Sequence, residues 1–484
     1  MPTPILACDL GGSSLRAALV DARGITHATH AIPTPPCIDT GPRSEFDPAI
    51  WWAMLLEACA ALAATAPETF AQTAAIAICG LTRTQVFVNH ASHPVRPAIA
   101  WRDTRATATA TRLQARLPAA HPETAAINAF HPLARLAWMA EHEPDLLRQV
   151  AQILDPKDYL NARLTGRCAS DPISMARLLA STDILEAAGS SPAILPPILE
   201  PGDTVGPLRP NLRAPLDRLA GIPVFCGAND TWAAAAGLGA LRPGYGYNIS
   251  GTTEVLGIIT ATPAYAEGLV TVDWRSVSQL GGPSQTGADT VSWLLTLLGR
   301  EASPGPDLAT LLAAPRDPEK PLFLPYLQGE RTPYWDATLR GAFLGLNRRH
   351  GPTDLAFAVL EGVAFLNRIV LERAEAAANT RISEIRFGGG GAANPVWAQI
   401  KADICNRPIV VCAAPEPGIL GAAMLAWTGL GAYKSLAEAQ EAMVQVAARY
   451  DPDPDQAAIY DRLFTLFRQA EAALAPISRA LAAG

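Results

Sequence analysis

The chain has 484 residues, 49% of them hydrophobic, and a formal net charge of −7 at pH 7. A chain of this length and composition has room for two folded domains and is not disordered throughout. Its acidic balance excludes a general nucleic-acid-binding protein, which would need a basic face.

We expect no membrane segment, because no apolar run reaches the roughly 18 residues that cross a bilayer. The first residues, Met1 to Pro4, have no basic segment ahead of an apolar one, so we expect no signal peptide and a cytoplasmic protein. Several of the eight cysteines lie within apolar runs, which predicts buried, reduced thiols. For the oligomeric state we keep a homodimer as a working hypothesis.

The amino-terminal part of the chain predicts a β-hairpin followed by a further strand. Strands are expected at residues 5–9, 15–21 and 25–32, and Gly11-Gly12-Ser13-Ser14 has the composition of a tight hairpin loop. Asp47-Pro48 is typical of a helix start, with the aspartate as cap and the proline at the first helical position. Another apolar strand, at residues 74–79, leads into Gly80.

A carboxylate follows the next predicted strand. After a proline-rich, irregular connection at residues 190–215, the apolar residues 224–226 lead into Gly227, and a helical pattern begins at Asp230. Asp230 is therefore expected at the carboxyl end of a strand, where open α/β sheets place their chemistry.

The second half repeats this order of elements. Strands at 247–250 and 254–260 are joined by Gly251-Thr252-Thr253, and a long amphipathic helix is expected at 354–378. A strand at 385–387, a glycine run, a helix from 395, a strand at 409–412 and a helix from 418 follow. Two halves that open with similar hairpins indicate duplication, with domains at residues 1–243 and 244–484 and a cleft between them.

The two hairpin turns could bind phosphate. Glycines let backbone N–H groups approach phosphate oxygens, and hydroxyl side chains add donors. Asp9, just before the first turn, could hold Mg²⁺, which prefers hard oxygen ligands. An ordinary glycine turn is the alternative for either hairpin, and their repetition favours phosphate binding.

Asp230 could act as a base. The amino-terminal helix dipole favours an ionised carboxylate there by about 0.3–1 kcal/mol. In a loose phosphoryl-transfer transition state, the attacking hydroxyl needs orientation and a proton acceptor more than strong activation. The alternative is that Asp230 only caps its helix. An acid beside phosphate-binding turns indicates phosphoryl transfer to an alcohol.

Residues 388–393 match a GxGxxA spacing, which alone leaves open an NAD(P)-dependent oxidoreductase. No second mononucleotide-binding half follows this loop, so a surface for adenine and ribose fits equally well. The chain contains no GxxxxGK[ST] run, which excludes a P-loop nucleotide fold.

From about residue 5 to 430 the chain resembles the FGGY family of carbohydrate kinases, in the actin, Hsp70 and sugar-kinase fold group. The most specific segment is residues 323–333, FLPYLQGERTP, followed by GAFLGL at 341–346. Trp101-Arg102-Asp103-Thr104-Arg105 and PKDYL at 156–160 support it. The resemblance implies an α/β fold of two ribonuclease-H-like, actin-like ATPase domains with an interdomain catalytic cleft.

The resemblance also implies ATP and Mg²⁺, with a small sugar, ketose or polyol as acceptor. Asp230 would be the base and, with Asp9, a metal ligand. The resemblance assigns phosphate binding to Gly11, Gly12, Ser13, Ser14, Gly251, Thr252 and Thr253, the adenosine pocket to Gly389, Gly390 and Asn394, and the acceptor to Asp103 and Asp230. We also expect Arg83, Gln85 and Asn229 to bind the acceptor.

The acceptor itself is not readable from this pattern. Xylulokinase-like members carry Gln-Met-His after the strand at 74–79 and glycerol kinases carry Gln-Arg-Glu, whereas this chain has Thr84-Gln85-Val86. The overall pattern is nearest to the xylulokinases. A non-catalytic, actin-like sensor of sugar or nucleotide is a further alternative, against which the presence of both Asp9 and Asp230 argues.

Overall fold

The protein is described by a computed structural model that covers residues 3–300 and 305–482. Met1 and Pro2, which open the amino-terminal segment considered for a signal peptide, lie outside the described residues.

The chain forms two compact units. Unit 1 comprises Met1–Gly237 and Gly418–Met443, and unit 2 comprises Leu238–Pro417 and Val444–Gly484. The sequence-based boundary at residue 243 assigned residues 418–443 to the second domain, whereas in the structure they pack with the first unit.

Side chains in this late segment explain its place in unit 1. The Trp427 indole Nε1 donates a hydrogen bond to the Val20 carbonyl oxygen at 3.4 Å. The Tyr433 hydroxyl donates to the carbonyl oxygen of Ala22. Both contacts join residues of this late segment to the strand and turn near the start of the chain. Local sequence patterns do not predict contacts between residues so far apart along the chain.

The strands of unit 1 are β1 (Ile5–Leu10), β2 (Ser14–Val20), β3 (Thr26–Pro33), β4 (Ile38–Thr40), β5 (Arg43–Phe46), β6 (Ala75–Gly80), β7 (Val86–Val88), β8 (Ala98–Ile99), β9 (Gln152–Leu154), β10 (Thr204–Pro207) and β11 (Pro223–Phe225). The strands of unit 2 are β12 (Tyr245–Ser250), β13 (Glu254–Thr260), β14 (Val270–Trp274), β15 (Val277–Pro283), β16 (Leu322–Leu324), β17 (Ala342–Leu344), β18 (Glu384–Gly388), β19 (Ile409–Cys412) and β20 (Val446–Tyr450).

The α-helices are α1 (Pro48–Thr65), α2 (Pro67–Ala71), α3 (Thr107–Arg116), α4 (Pro132–His142), α5 (Pro144–Leu147), α6 (Pro156–Thr165), α7 (Ala176–Leu179), α8 (Asp230–Gly237), α9 (Ala288–Leu297), α10 (Pro306–Ala313), α11 (Pro352–Ala378), α12 (Pro395–Cys405), α13 (Pro417–Gly429), α14 (Leu436–Met443) and α15 (Pro454–Ala482). Short 3₁₀ helices lie at Thr124–Ala126, Thr182–Ala188, Pro192–Ile194, Leu216–Leu219 and Gly390–Ala393.

The main sheets of the two units share one topology. The order in unit 1 is β10-β11-β6-β1-β2-β3, and in unit 2 it is β20-β19-β18-β12-β13-β15, with β14 added beside β15. In each sheet a three-strand antiparallel meander is continued by two parallel strands. This repetition is the arrangement that the two similar hairpins predict.

Helix α1 shows why the amino-terminal half folds as it does. Its cap, Asp47, accepts a hydrogen bond from the Ala49 amide at 2.9 Å, and Pro48 occupies the first turn. One face is buried in the core of unit 1, with Trp51 and Leu62 among the buried side chains. Of the helices in the described ranges, α1 alone is long and apolar enough to span a membrane, a test that buried core helices also pass.

Candidate active site

Parallel strands bring the predicted catalytic residues of unit 1 to one edge of its sheet. Strand β1 pairs in parallel with β6, placing Asp9 beside Cys79, and β6 pairs in parallel with β11. A further bridge joins Gly80 to Asn229, the residue before Asp230. Because the carboxyl ends of parallel strands meet at the same edge, Asp9 and Asp230 belong to one cluster.

The Cys79 thiol lies within this cluster. Burial raises the pKa of the thiol, and the charges of Asp9 and Asp230 raise it further. Its Sγ donates a hydrogen bond to the Gly418 carbonyl oxygen at 3.4 Å, at the start of α13. A neutral thiol is thus enclosed near two carboxylates, and sequence reasoning did not single it out.

Helix α13 approaches Asp9 closely because residue 418 is a glycine. A β carbon at Gly418 would lie 2.4 Å from the Asp9 Oδ2 atom, closer than atoms can pack. The first turn of α13 therefore rests against the Asp9 carboxylate, where the amino-terminal end of the helix dipole favours negative charge. The sequence carries no local signal for this contact, since the two residues are far apart along the chain.

Asp230 is the first residue of α8 but is not its cap. The Asn229 Oδ1 atom accepts from the Trp232 amide at 2.9 Å, the hydrogen bond typical of a capping residue. Asp230 Oδ1 accepts instead from the adjacent Thr231 amide at 2.6 Å. The structure thus gives the capping role to Asn229, which sequence analysis assigned to the acceptor.

The surroundings of Asp230 change its acidity in two directions. Burial raises the pKa of the carboxyl, while the Thr231 hydrogen bonds and the positive charge of Arg83 oppose that rise. The net direction is upward, which makes Asp230 a stronger proton acceptor than an exposed aspartate.

The first hairpin turn lies at the same edge. It is closed by a hydrogen bond from the Gly11 amide to the Ser14 carbonyl oxygen at 2.9 Å, and its tip, Gly12 and Ser13, is exposed. A β carbon built on Gly12 would lie 3.9 Å from the Trp101 indole nitrogen. The Trp101 segment therefore lies next to the turn predicted to face phosphate.

Two predicted acceptor residues lie on the segment after β6. Arg83 has a positive φ of 55°, and its carbonyl oxygen accepts a hydrogen bond from Arg135 Nη1 at 2.6 Å. Gln85 is 3% exposed, and neither polar atom of its amide has a hydrogen-bond partner in residues 3–300 and 305–482. Arg83 and Asp230 interact electrostatically, so this segment reaches the carboxylate cluster.

Asp103 has a different environment. Its Oδ2 atom accepts from the Ser44 amide at 2.6 Å and from Arg105 Nη2 at 2.7 Å. Its Oδ1 atom accepts from the amide and the Nε of Arg105, both at 3.0 Å. These bonds occupy both oxygens, so the carboxylate fixes the backbone of the Trp101 segment.

The second hairpin turn repeats the first. The Gly251 amide donates to the Thr253 carbonyl oxygen at 3.0 Å, and Gly251 and Thr252 are exposed. Behind the turn, the Glu254 amide donates to the Thr286 carbonyl oxygen at 3.0 Å, so the backbone that follows the turn is anchored to the segment before α9.

The segment that carries the strongest family resemblance supports this second turn. Glu330 Oε2 accepts hydrogen bonds from the hydroxyls of Ser284 and Thr286 at 3.1 and 2.7 Å, and its Oε1 accepts from the Gln285 amide at 2.5 Å. The guanidinium of Arg331 donates to the Ser284 carbonyl oxygen. The motif therefore positions residues 284–286, on which the turn rests.

A buried ion pair joins the same turn to α11 and α12. Lys401 Nζ lies 3.0 and 2.9 Å from the two carboxylate oxygens of Glu254, and 2.5 Å from Asn367 Oδ1. All three side chains are at most 3% exposed. A buried charge without its partner costs about 3–5 kcal/mol, so these contacts fix the turn relative to both helices.

The glycine run after β18 packs against the end of β12. Gly389 has a positive φ of 85°, and a β carbon there would lie 2.5 Å from the Ser250 carbonyl oxygen. A β carbon on Gly390 would meet no atom within 4 Å. Asn394 caps α12, its Oδ1 accepting from the Val396 and Trp397 amides at 3.0 and 3.1 Å.

Mg²⁺ usually keeps several waters and takes one or two protein carboxylates, the rest of its ligands coming from substrate phosphates. Throughout the described part of the chain, no group of three or more His, Cys, Asp or Glu side chains is placed to hold a metal ion. The charges of Asp9 and Asp230 both raise the pKa of the Cys79 thiol, so the two carboxylates lie close to the same group. Two carboxylates are the number of protein ligands that Mg²⁺ commonly takes.

Comparisons with known proteins identify the family. The profile of the FGGY family of carbohydrate kinases matches in two parts, the amino-terminal domain at residues 4–237 and the carboxyl-terminal domain at residues 246–430. The chain belongs to the FGGY family of carbohydrate kinases.

Similar proteins cover nearly the whole chain. The xylulose kinase of Lactococcus lactis is 29% identical over 96% of each chain, and that of Streptomyces rubiginosus is 31% identical over 87% of this chain and 86% of the relative. The crystal structure of a xyloylose kinase from Brucella ovis superimposes with a TM-score of 0.88 at 27% identity, covering 98% of this chain and 99% of the other.

These matches confirm the predicted class of fold and of activity. The protein is an α/β FGGY kinase with the actin-like ATPase fold, and it is an ATP-dependent sugar kinase. They do not favour the oxidoreductase or the non-catalytic sensor. In this fold, residues 388–393 are not the first βα turn of a dinucleotide-binding sheet, because the strand before them pairs with β12 of the meander.

The two neighbouring glycines offer a matched test of the glycine run. Gly389→Ala is expected to lower the free energy of unfolding by about 1–3 kcal/mol, because alanine at this positive φ is strained and its β carbon meets Ser250. Gly390→Ala should stay within about 1 kcal/mol of the parent, because its β carbon has open space. Denaturant unfolding measures both, and equal midpoints for the two variants would contradict this account.

Proposed function

We propose that this kinase transfers the γ-phosphate of ATP to a hydroxyl of a small ketose or polyol, and that a xylulose-like ketose is the first acceptor to test. The observation that carries the proposal is the pair of carboxylates, Asp9 and Asp230, gathered at the carboxyl edge of the unit 1 sheet. The relatives at 29% and 31% identity that are named xylulose kinases motivate the choice of acceptor.

Asp230 accepts the proton of the acceptor hydroxyl. As that oxygen forms its bond to the γ-phosphorus, the bond between the γ-phosphorus and the β–γ bridging oxygen breaks and ADP leaves. The proton of the hydroxyl passes to the Asp230 carboxylate. Support for this role comes from Asn229, which caps α8, and from the burial that raises the pKa of Asp230.

The phosphates are assigned to the two exposed glycine-and-hydroxyl turns. Residues 11–14 face the transferring phosphate, and residues 251–253 bind the phosphates of ATP through backbone N–H groups and hydroxyls. We assign Gly389, Gly390 and Asn394 to the border of the adenosine pocket. The buried pair of Glu254 and Lys401 supports this assignment, because it holds the second turn at a fixed place in unit 2.

Mg²⁺ is assigned to Asp9 and Asp230. When bound with ATP, the ion neutralises charge that develops on the transferring phosphate. The two carboxylates supply the hard oxygen atoms that this ion prefers.

Arg83 and Gln85 are assigned to the acceptor. For Asp103 and Asn229 we propose positioning roles, since Asp103 accepts hydrogen bonds from Ser44 and Arg105 and the Asn229 side-chain oxygen caps α8. We propose further that the protein is cytoplasmic and forms a homodimer.

The Asp230→Asn variant tests the base directly. It should lower kcat by a factor of about 10²–10⁴, because an amide cannot accept the hydroxyl proton, and leave ATP affinity within about threefold. The measurements are acceptor-dependent ADP release and calorimetric ATP binding, with the exposed Asp217→Asn as matched control. Parental turnover in Asp230→Asn would remove this residue from the mechanism.

Arg83 provides a test through pH. Its positive charge lowers the pKa of Asp230, so removing that charge raises the pKa, and catalysis needs the ionised form. Turnover is present above this pKa and is lost below it. Arg83→Gln should therefore move the acid limb of the kcat–pH profile to higher pH, whereas Arg83→Lys should leave it near the parental position. A limb that moves to lower pH in Arg83→Gln, or stays unmoved, would contradict the assignment.

A further inference from the structure

Two short strands of unit 1 bring Gln85 and Asp155 together. Strand β7 pairs antiparallel with β9, with Val86 opposite Leu154. Gln85 precedes Val86 and Asp155 follows Leu154, so the next position in this register sets the two polar residues across from each other. Directly opposed residues in an antiparallel pair project on the same face and are close enough to share a ligand.

That face differs from the one that builds the central core. Val86 and Leu154 pack in the cluster around the main sheet of unit 1, while Phe87 and Ile153 pack in a second cluster. Because side chains alternate along a strand, Gln85 shares the face of Phe87, and Asp155 that of Ile153.

Both polar side chains are buried, and each carries at least one buried polar atom without a hydrogen-bond partner among the described residues. Gln85 is 3% exposed and Asp155 is 6% exposed. Within residues 3–300 and 305–482, neither polar atom of the Gln85 amide nor Oδ2 of Asp155 has a hydrogen-bond partner. Each unsatisfied buried group costs about 1–3 kcal/mol, and most buried polar groups in proteins are paired. Two such groups side by side are explained by a polar ligand that satisfies them.

Two neighbouring carboxylates, Asp158 in the PKDYL segment and Asp171, are by contrast paired with a lysine. Lys157 Nζ lies 2.5 Å from Asp158 Oδ1 and 2.8 Å from Asp171 Oδ2. Ser170 Oγ also donates to Asp158, at 2.5 Å. These pairs stabilise the first turn of α6 and leave the Asp155 carboxyl outside the ion-pair network.

The acidity of Asp155 suits it to donate a hydrogen bond. Burial raises the pKa of its carboxyl, and the charges of Asp158, Asp171 and Asp230 raise it further, against the opposing charge of Lys157. A raised pKa favours the protonated acid, which offers an O–H to an oxygen of the ligand. The contribution of Asp230 also shows that Asp155 lies within electrostatic reach of the proposed base.

Arg135 fixes the segment that carries Gln85. Its Nη1 donates to the Arg83 carbonyl oxygen at 2.6 Å and its Nη2 to the Ala100 carbonyl oxygen at 2.8 Å. The Gln85 backbone is in turn paired with Ile99, its amide donating to the Ile99 carbonyl oxygen at 3.0 Å. Gln85 is therefore held on a rigid backbone.

We propose that Asp155 is a specificity-determining residue that, with Gln85, hydrogen-bonds an oxygen of the polyhydroxy acceptor away from the hydroxyl that is phosphorylated. The inference rests on the proposed function, because it assumes that Asp230 and its surroundings receive the acceptor. The amide of Gln85 supplies a donor and an acceptor, and Asp155 supplies the O–H, which together match one sugar hydroxyl.

The test compares apolar and conservative variants with an acceptor that the parent enzyme phosphorylates. Gln85→Leu and Asp155→Leu should each raise the acceptor KM about tenfold or more, because a buried hydrogen bond to the sugar is lost, with the KM for ATP within about twofold. Asp155→Asn should stay within about threefold of the parental acceptor KM, since a carboxamide still donates. Gln85→Leu should keep or raise Tm, because a buried unsatisfied group is replaced by an apolar one. Asp155→Leu is expected to lower Tm, because it also replaces the N-cap residue of α6.

Deoxy analogues of that acceptor distinguish a direct hydrogen bond to the substrate from a structural role of Gln85 and Asp155. With the analogue that lacks the recognised hydroxyl, Gln85→Leu and Asp155→Leu should cause no further loss, so that mutation and deoxygenation are strongly non-additive. A merely structural role would instead reduce kcat with every analogue alike.

Failure of the proposed function and failure of the Asp155 subsite give different results. A parent enzyme that releases no ADP with any sugar or polyol overturns the proposed function. A parent enzyme that turns over well, combined with leucine variants whose acceptor KM stays within twofold or whose losses are the same for every analogue, overturns the Asp155 subsite alone.

Discussion

The parallel pairing of β1, β6 and β11 is the constraint on which the unit 1 site depends. Because all three strands end at one edge, Asp9, Cys79 and Asp230 are collected there although they are far apart in sequence. Burial raises the pKa of both the Cys79 thiol and Asp230, and the charges of Asp9 and Asp230 raise that of the thiol further. The order and register of these strands therefore determine where the carboxylates lie. A change of register in β6 or β11 would separate them.

Unit 2 has the same sheet topology, but its hairpin turn is supported by buried ion pairs and hydrogen bonds. Its equivalent hairpin ends in an exposed turn at residues 251–253, and the polar groups behind that turn are buried and paired. The ion pair of Glu254 and Lys401 joins the turn to α12, and Glu330 holds the segment before α9. The phosphate binding that we propose for this turn needs backbone N–H groups fixed in direction, and these buried contacts would supply that rigidity.

Much of this architecture could be predicted from the sequence because its signals are local. The strand–glycine–strand hairpins, the helix start at Asp47 and the carboxylate after β11 all appear where alternation, turn composition and capping indicated them. The packing of residues 418–443 with unit 1, the close approach of Gly418 to Asp9 and the pairing of β7 with β9 could not be predicted. Each depends on contacts between distant segments. Asn229 was assigned to the acceptor, but its capping bond depends on where α8 begins, which a pattern locates only to within a few residues.

The most direct test of the central claim, phosphoryl transfer to a sugar hydroxyl, is a coupled ADP-release screen with ATP and Mg²⁺ over pentuloses, hexuloses, tetritols, pentitols and glycerol. The account predicts that at least one ketose or polyol accelerates ADP release far above the rate with ATP alone, and that a stoichiometric sugar phosphate accumulates. A panel in which no member exceeds the rate with ATP alone would contradict it.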